Sequence, residues 1–308
     1  MSCSRELSGA APSPSQTLVA ALLRGALTAL VKPAFNPRRG VVFQRRWLSA
    51  AARVTLPARG VPRRRAHFAG VPVELVGDGR AGCVLYLHGG GYLSGSPATH
   101  RALTTHLARR SDTTVVVADY RRAPEHPCPA ALDDALAVYR RLLDNDHAPG
   151  RLALAGDSAG GGLALALLQR INNEGLPAPA SAILISPWLD LSLRQTPAWV
   201  PGEAMLNLHW LEKAAEAYAG GQRDQAGASP LFGDCDNLPP LLIQSGGDEI
   251  LRGDSERLAD ALAGTRTRAR YQLYPDRWHV FQLHAGVLAD ADHAIDEMRD
   301  FLNHHWQA

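Results

Sequence analysis

The chain of 308 residues carries 32 lysines and arginines against 30 aspartates and glutamates, a formal charge of +2. That balance gives no global field for nucleic acid or for an anionic membrane, so neither is expected as a partner. The length suits one domain with one large core and an accessory cap.

Four cysteines, Cys3, Cys83, Cys128 and Cys235, stand without C-x-x-C spacing. They predict free thiols in a reducing, cytoplasmic compartment. The first 15 or so residues are rich in Ala, Pro and Ser and are expected to be unstructured. Leu18 to Val31 is apolar, but no positive cluster precedes it, Arg24 interrupts it and no A-x-A site follows, which argues against a signal peptide. Leu18, Leu22, Leu23, Leu27, Leu30 and Val31 recur at helical spacing, predicting an amphipathic helix too short to span a bilayer and lying on the rest of the protein; a membrane-surface helix is the rival reading, against which Arg24 as its only basic residue argues. Arg63 to Arg65 reads as a solvated surface segment.

From residue 70 onward short β-branched runs alternate with helical stretches. Strands are predicted over Val73–Val76, Val84–Leu87, Thr114–Ala118, Leu152–Ala155, Ala182–Ser186, Leu241–Ser245 and Arg270–Tyr274. Pro72 makes the first of these an edge strand. Helices are predicted near 98–110, 129–144, 160–173, 207–219, 253–263 and 285–305. Such alternation implies an α/β fold with a mostly parallel central sheet, whose ligands bind beyond the carboxyl ends of the strands.

Three sites stand at those ends. The run Leu152–Ala155 is followed by Gly156-Asp157-Ser158-Ala159-Gly160 and then by an apolar helix. This G-x-S-x-G in a strand-turn-helix context makes Ser158 a candidate nucleophile, with the Ala159 N–H at a helix N-terminus facing a developing oxyanion. Neither G-x-G-x-x-G nor a Walker pattern is present, so a phosphate loop does not fit. After Val84–Leu87 comes His88-Gly89-Gly90-Gly91-Tyr92, whose Gly89 and Gly90 amides are predicted to complete an oxyanion hole. His88 is assigned a structural role in that loop.

The third site joins two strand ends. Gly246-Gly247-Asp248-Glu249 follows one, and Pro275-Asp276-Arg277-Trp278-His279 follows the other. His279 is the candidate base and Asp248, first after its strand, the candidate acid that orients it; Glu249, Asp254 and Asp276 are rivals. The order serine, acid, histidine fits an α/β-hydrolase. His284, His293, His304 and His305 are read as solvent-facing, His126 lies in a Pro-rich loop, and no H-E-x-x-H argues for zinc.

Taken together, His88–Tyr92, Asp119-Tyr120-Arg121-Arg122-Ala123-Pro124-Glu125-His126-Pro127, Gly156–Gly161 (GDSAGG), Ser186-Pro187-Trp188-Leu189-Asp190 and Trp278-His279-Val280-Phe281 resemble the hormone-sensitive lipase family of bacterial carboxylesterases. The resemblance runs from about residue 35 to the end. Arg122, Cys128 and Asp276-Arg277 depart from the family pattern, the first two at positions expected to shape the acyl or alcohol pocket and the third in the base-bearing loop. The resemblance implies an α/β-hydrolase fold with a helical cap built from residues 1–50 and an insertion of about 190–225 on a catalytic domain spanning 51–308. It implies a serine esterase for small-molecule esters of short to medium acyl chain, without a cofactor or metal. Homodimers are common in the family, and stable membrane insertion is not expected. Two alternatives stay open: an amidase or deacetylase using the same triad, and a non-catalytic receptor, against which the presence of His279 argues.

Overall fold

The computed structural model describes residues 2–11, 13–145 and 147–306. Among the described residues nine strands form one sheet: β1 Cys3–Leu7, β2 Arg63–Phe68, β3 Val71–Val76, β4 Cys83–Leu87, β5 Thr114–Ala118, β6 Leu152–Asp157, β7 Ser181–Ile185, β8 Leu241–Gly246 and β9 Ala269–Tyr274. Their spatial order is β1-β9-β8-β7-β6-β4-β5-β3-β2, parallel except for the β2–β3 and β3–β5 pairings. Strands β4, β6, β7 and β8 are buried at every position. Their largely apolar runs, with polar residues only near the strand ends, are what a strand covered on both faces requires.

Eight α-helices accompany the sheet among the described residues: α1 Pro14–Ala26, α2 Val41–Ala51, α3 Arg101–Ser111, α4 Ala130–Asp144, α5 Ala159–Asn173, α6 Leu208–Ala219, α7 Arg252–Leu262 and α8 Ala289–His305. Helix α4 shows why they form. Leu132, Leu136 and Tyr139 are buried on one stripe, while Asp133 occupies the first turn and Arg141 the last, complementing the helix dipole. Helix α6 starts where the Asn207 side chain accepts the Trp210 N–H at 3.0 Å. Packing pairs α3 with α8 and α4 with α5.

Register places the site. Leu87 of β4 lies opposite Ala118 of β5 and Gly156 of β6, and Gly246 of β8 lies opposite Tyr274 of β9. The segments that follow these strands therefore emerge at one edge of the sheet.

Two expectations are corrected here. The first residues are not unstructured, because Cys3–Leu7 adds a parallel strand to the free edge of β9. Arg63–Arg65 is solvent-exposed as expected, and the segment also forms part of β2, which pairs through its backbone with β3. Strand β3 is consequently internal. Pro72 is tolerated one residue outside the β3–β5 register, where its carbonyl accepts the Asp119 N–H.

The N-terminal helix is also longer than expected. Tighter and wider turns carry it from Pro14 through Phe35, 22 residues, long and apolar enough by length and composition to cross a membrane. Pro33 does not stop it, since it enters at the first turn of a 3-10 segment, where no amide hydrogen is needed. The run lies against the body of the protein through Ala20, Leu27 and Phe35.

Candidate active site

Strand β6 runs directly into α5 through Ser158, whose backbone sits at φ 53°, ψ −123°. A non-glycine residue there is strained, and the surroundings hold it. Its N–H donates to the Ile185 carbonyl at 2.8 Å and its carbonyl accepts from Trp188 at 2.9 Å. At Gly160 a Cβ would collide with the carbonyls of Leu87 and His88, so the turn needs glycine for close approach to β4. Ala159 is the first residue of α5, where an amide has no intrahelical acceptor.

The loop after β4 is braced from below. The His88 ring stacks on Tyr120 at 4.3 Å, and its Nδ1 lies 2.9 Å from the Gly89 carbonyl. Burial pushes His88 down to about 3, so it is a neutral bracing group. The Gly89 amide does not face the cavity freely: it donates to Asp157 Oδ1 at 3.0 Å. This removes Gly89 from the expected oxyanion donors, because an N–H already spent on a carboxylate cannot serve a second acceptor well. The amides of Gly90 (φ 126°) and Gly91 (φ 60°) donate to no group among the described residues.

Asp157 is a site residue that sequence reasoning missed. It accepts from Tyr86 at 2.7 Å and lies 3.2 Å from His100 Nε2. Burial would raise its carboxyl, but His100, Tyr86 and the Gly89 amide outweigh that and hold it below its ordinary value. Only its place inside the GDSAGG run hinted at a role; nothing in the sequence tied it to Tyr86 and His100.

The expected acid is corrected as well. His279 Nδ1 lies 3.2 Å from Glu249 Oε2, and both side chains are buried, at 3% and 0% exposure. Asp248 turns the other way, to Arg24 of α1 at 2.7 Å, and is partly exposed. Both residues lie in the turn after β8, where the turn's backbone and not order in the chain sets which carboxylate meets the imidazole. Neither remaining rival meets the imidazole: Asp254, which burial pushes up to about 6, accepts the Leu189 and Asp190 amides at 2.7 and 2.9 Å, and Asp276 is exposed, held only through its backbone carbonyl, which accepts from Arg24 at 2.6 Å. Burial opposes the imidazolium of His279, yet the hydrogen bond and charge of Glu249 prevail and raise its pKa.

Ser158 and His279 line one cavity of about 140 Å³. Leu27, Val31, Phe35 and Leu48 form one wall, and Met205 and Trp210 another. Trp210 meets Phe35 edge-on at 4.6 Å and donates to Gln44 at 2.9 Å. Arg122 and Cys128 do not line it. Arg122 instead donates to the Gly95 carbonyl at 2.8 Å and pairs with Asp119 at 2.7 Å, bracing the glycine loop. The departure at Asp276-Arg277 leaves the base-bearing loop tethered, through the Arg277–Asp290 ion pair and a 2.9 Å bond from the Asp248 amide to the Arg277 carbonyl. His284 is not solvent-facing: it lines the cavity, packs edge-on to Trp278 at 5.6 Å and is pushed down to about 4 by burial. Among the described residues, no group of three or more His, Cys, Asp or Glu side chains is placed to hold a metal ion.

A strained serine elbow, a glycine loop and a buried His–carboxylate pair at one edge of a parallel sheet define an α/β-hydrolase. A model of the alpha/beta hydrolase fold family matches residues 84–283. An acetyl-hydrolase of Streptomyces hygroscopicus is 42% identical over 228 residues, 73% of this chain and 76% of that protein. The esterase LipU of Mycobacterium tuberculosis is 34% identical over 272 residues, 83% of this chain and 91% of its own. The crystal structure of an esterase from the bacterial hormone-sensitive lipase family superposes with a TM-score of 0.87 at 33% identity, covering 97% of this chain and all of the other. The chain belongs to the hormone-sensitive lipase family of α/β-hydrolases and is a carboxylic ester hydrolase.

Proposed function

We propose that the protein hydrolyses short- to medium-chain carboxylic esters through an acyl-enzyme, with Ser158 as nucleophile, His279 as general base and Glu249 as the carboxylate that orients it. The observation that carries this reading is the convergence of the Ser158 elbow and the buried His279–Glu249 pair on one apolar cavity. Its volume is close to that of a cavity able to hold benzene, which supports short acyl groups.

His279 takes the Ser158 proton as Oγ attacks the carbonyl carbon, and returns it to the departing alkoxide oxygen. The Gly90, Gly91 and Ala159 amides stabilise the tetrahedral oxyanion. Water, deprotonated by His279, then attacks the acyl carbon and releases the acid and Ser158. Glu249 fixes the tautomer with the proton on Nδ1 and favours the transient imidazolium. In the same reading residues 14–51 and the 190–225 segment act as a cap that excludes water from the acyl pocket. A reducing, cytoplasmic setting accords with four unpaired thiols.

The test is turnover of matched p-nitrophenyl esters and anilides by the wild type and Ser158→Ala, with mass spectrometry after treatment with a sulfonyl fluoride. Ester turnover and one covalent adduct in the wild type, both lost in Ser158→Ala, are expected. The rate loss in that variant should be about 10⁴- to 10⁶-fold. Retained turnover in Ser158→Ala overturns the assignment, and faster cleavage of the anilides makes the protein an amidase.

A further inference from the structure

The cap region carries a property that ester hydrolysis does not require. Between Glu6 and Glu74 the chain holds eleven arginines and lysines and no aspartate or glutamate, within a protein whose total charge is only +2; six of the eleven lie in residues 14–51 and three, Arg63 to Arg65, on β2. Three of the eleven are engaged in the fold. Arg24 pairs with Asp248 and Arg45 with Glu125, both at 2.7 Å, and Lys32 donates to the Glu203 carbonyl at 2.9 Å. Arg38, Arg39, Arg46 and Arg53 are exposed and form no ion pair among the described residues.

Large apolar side chains stand among these cations. Leu22 is 65% exposed and Val54 80%, with Leu18, Leu30, Trp47 and Leu56 also open to solvent. The Arg39 guanidinium lies 4.9 Å over the Phe43 ring, which stacks on Trp47 at 5.6 Å. Trp47 in turn donates to the Leu30 carbonyl at 2.7 Å, tying α2 to the end of the first helical run so that both present one surface. A groove along that surface shares Leu27, Val31, Ala51, Thr55, Leu283 and His284 with the active-site cavity. The apolar apron is therefore continuous with the pocket mouth.

We infer that this face docks on an anionic lipid surface, with the cap helices lying in the interface and the pocket opening toward the lipid. Uncompensated arginines beside exposed Leu, Phe and Trp match a surface that is anionic outside and apolar beneath. A second copy of this chain is a poor occupant, because a two-fold interface would set one uncompensated cationic face against another. A spanning orientation of Pro14–Phe35 is a poor fit too: Ala20, Leu27 and Phe35 are buried on the body, Arg24 is paired to Asp248, and Leu27, Val31 and Phe35 wall the cavity.

The experiment is co-sedimentation of the full-length protein with extruded phosphatidylcholine vesicles, with and without about a third phosphatidylglycerol, at low and at high salt. Because the readout is binding, it stands apart from the esterase reading. Association with the phosphatidylglycerol vesicles is expected, weakened at least tenfold on pure phosphatidylcholine or at about 1 M salt, where the Debye length falls to roughly 3 Å. The triple variant Arg38→Gln, Arg39→Gln, Arg46→Gln should lower partitioning on the order of a hundredfold, at about fivefold per arginine. Leu18→Ser with Leu22→Ser should also lower it, while circular dichroism and melting stay unchanged. Absence of binding to either vesicle overturns the inference, as does binding that ignores lipid charge and the arginine variant. Resistance to alkaline carbonate would show a spanning helix instead, and a dimer dissolved by Leu22→Ser without vesicle binding would show a second copy as the occupant; both overturn it.

Discussion

Glu249→Gln is the sharpest perturbation, because it changes one charge and almost no volume. Glu249 Oε2 lies 3.2 Å from His279 Nδ1, and the side chain is wholly buried. With glutamine there, the amide NH₂ can face Nδ1 and force the proton onto Nε2, the nitrogen that must accept it from Ser158. Loss of tautomer control in a triad of this kind lowers kcat about 10⁴-fold. Converted at 1.36 kcal/mol per decade, that is roughly 5.4 kcal/mol of transition-state stabilisation. Asp248→Asn removes only a partly exposed ion pair to Arg24, of a kind worth at most about 1 kcal/mol, and kcat should stay within about fivefold. Steady-state kinetics of p-nitrophenyl butyrate hydrolysis, with thermal melts to confirm folding, separate the two. A larger kcat loss in Asp248→Asn than in Glu249→Gln would refute the assignment of the acid.

Three further outcomes are expected. His279 acts only when neutral and Glu249 raises its pKa, so kcat/KM should fall tenfold per pH unit below a midpoint above the ordinary value of about 6.5; a midpoint at or below that value in the wild type contradicts the pairing. Asp157→Asn breaks the buried contact with His100 and should destabilise the fold by about 3 kcal/mol in denaturant titrations at pH 7. Because the Asp157 carboxyl is held below its ordinary value, its contribution is present above about pH 4 and is lost as pH falls through the lowered value, so the Asn variant should show a flatter acid limb of stability; an unchanged limb counts against it. Phe35→Ala removes part of the cavity wall and should move the acyl-length optimum of a C2 to C10 p-nitrophenyl series to longer chains, with a stability loss of about 3 kcal/mol or more; an unmoved optimum argues against the cap.

Much of this protein is carried by local sequence. The largely apolar runs Cys83–Leu87, Leu152–Asp157 and Leu241–Gly246 are strands buried on both faces, with polar residues only toward their carboxyl ends. The G-x-S-x-G spacing places Ser158 on a turn that only small neighbours permit. Both features depend on residues close together in the chain.

What the tertiary structure decided depends on partners far apart. Cys3–Leu7 becomes a strand because β9 has a free edge, and Arg63–Phe68 because β3 does; neither segment has a buried face to announce it. The choice between Asp248 and Glu249 turned on which of two adjacent carboxylates faces His279, 30 residues away, and which faces Arg24, 224 residues away. Gly89 left the oxyanion donors because Asp157, 68 residues on, occupies its amide. Composition and spacing specify which side chains are available, whereas direction and partner are fixed only when the sheet brings separate strand ends to one edge.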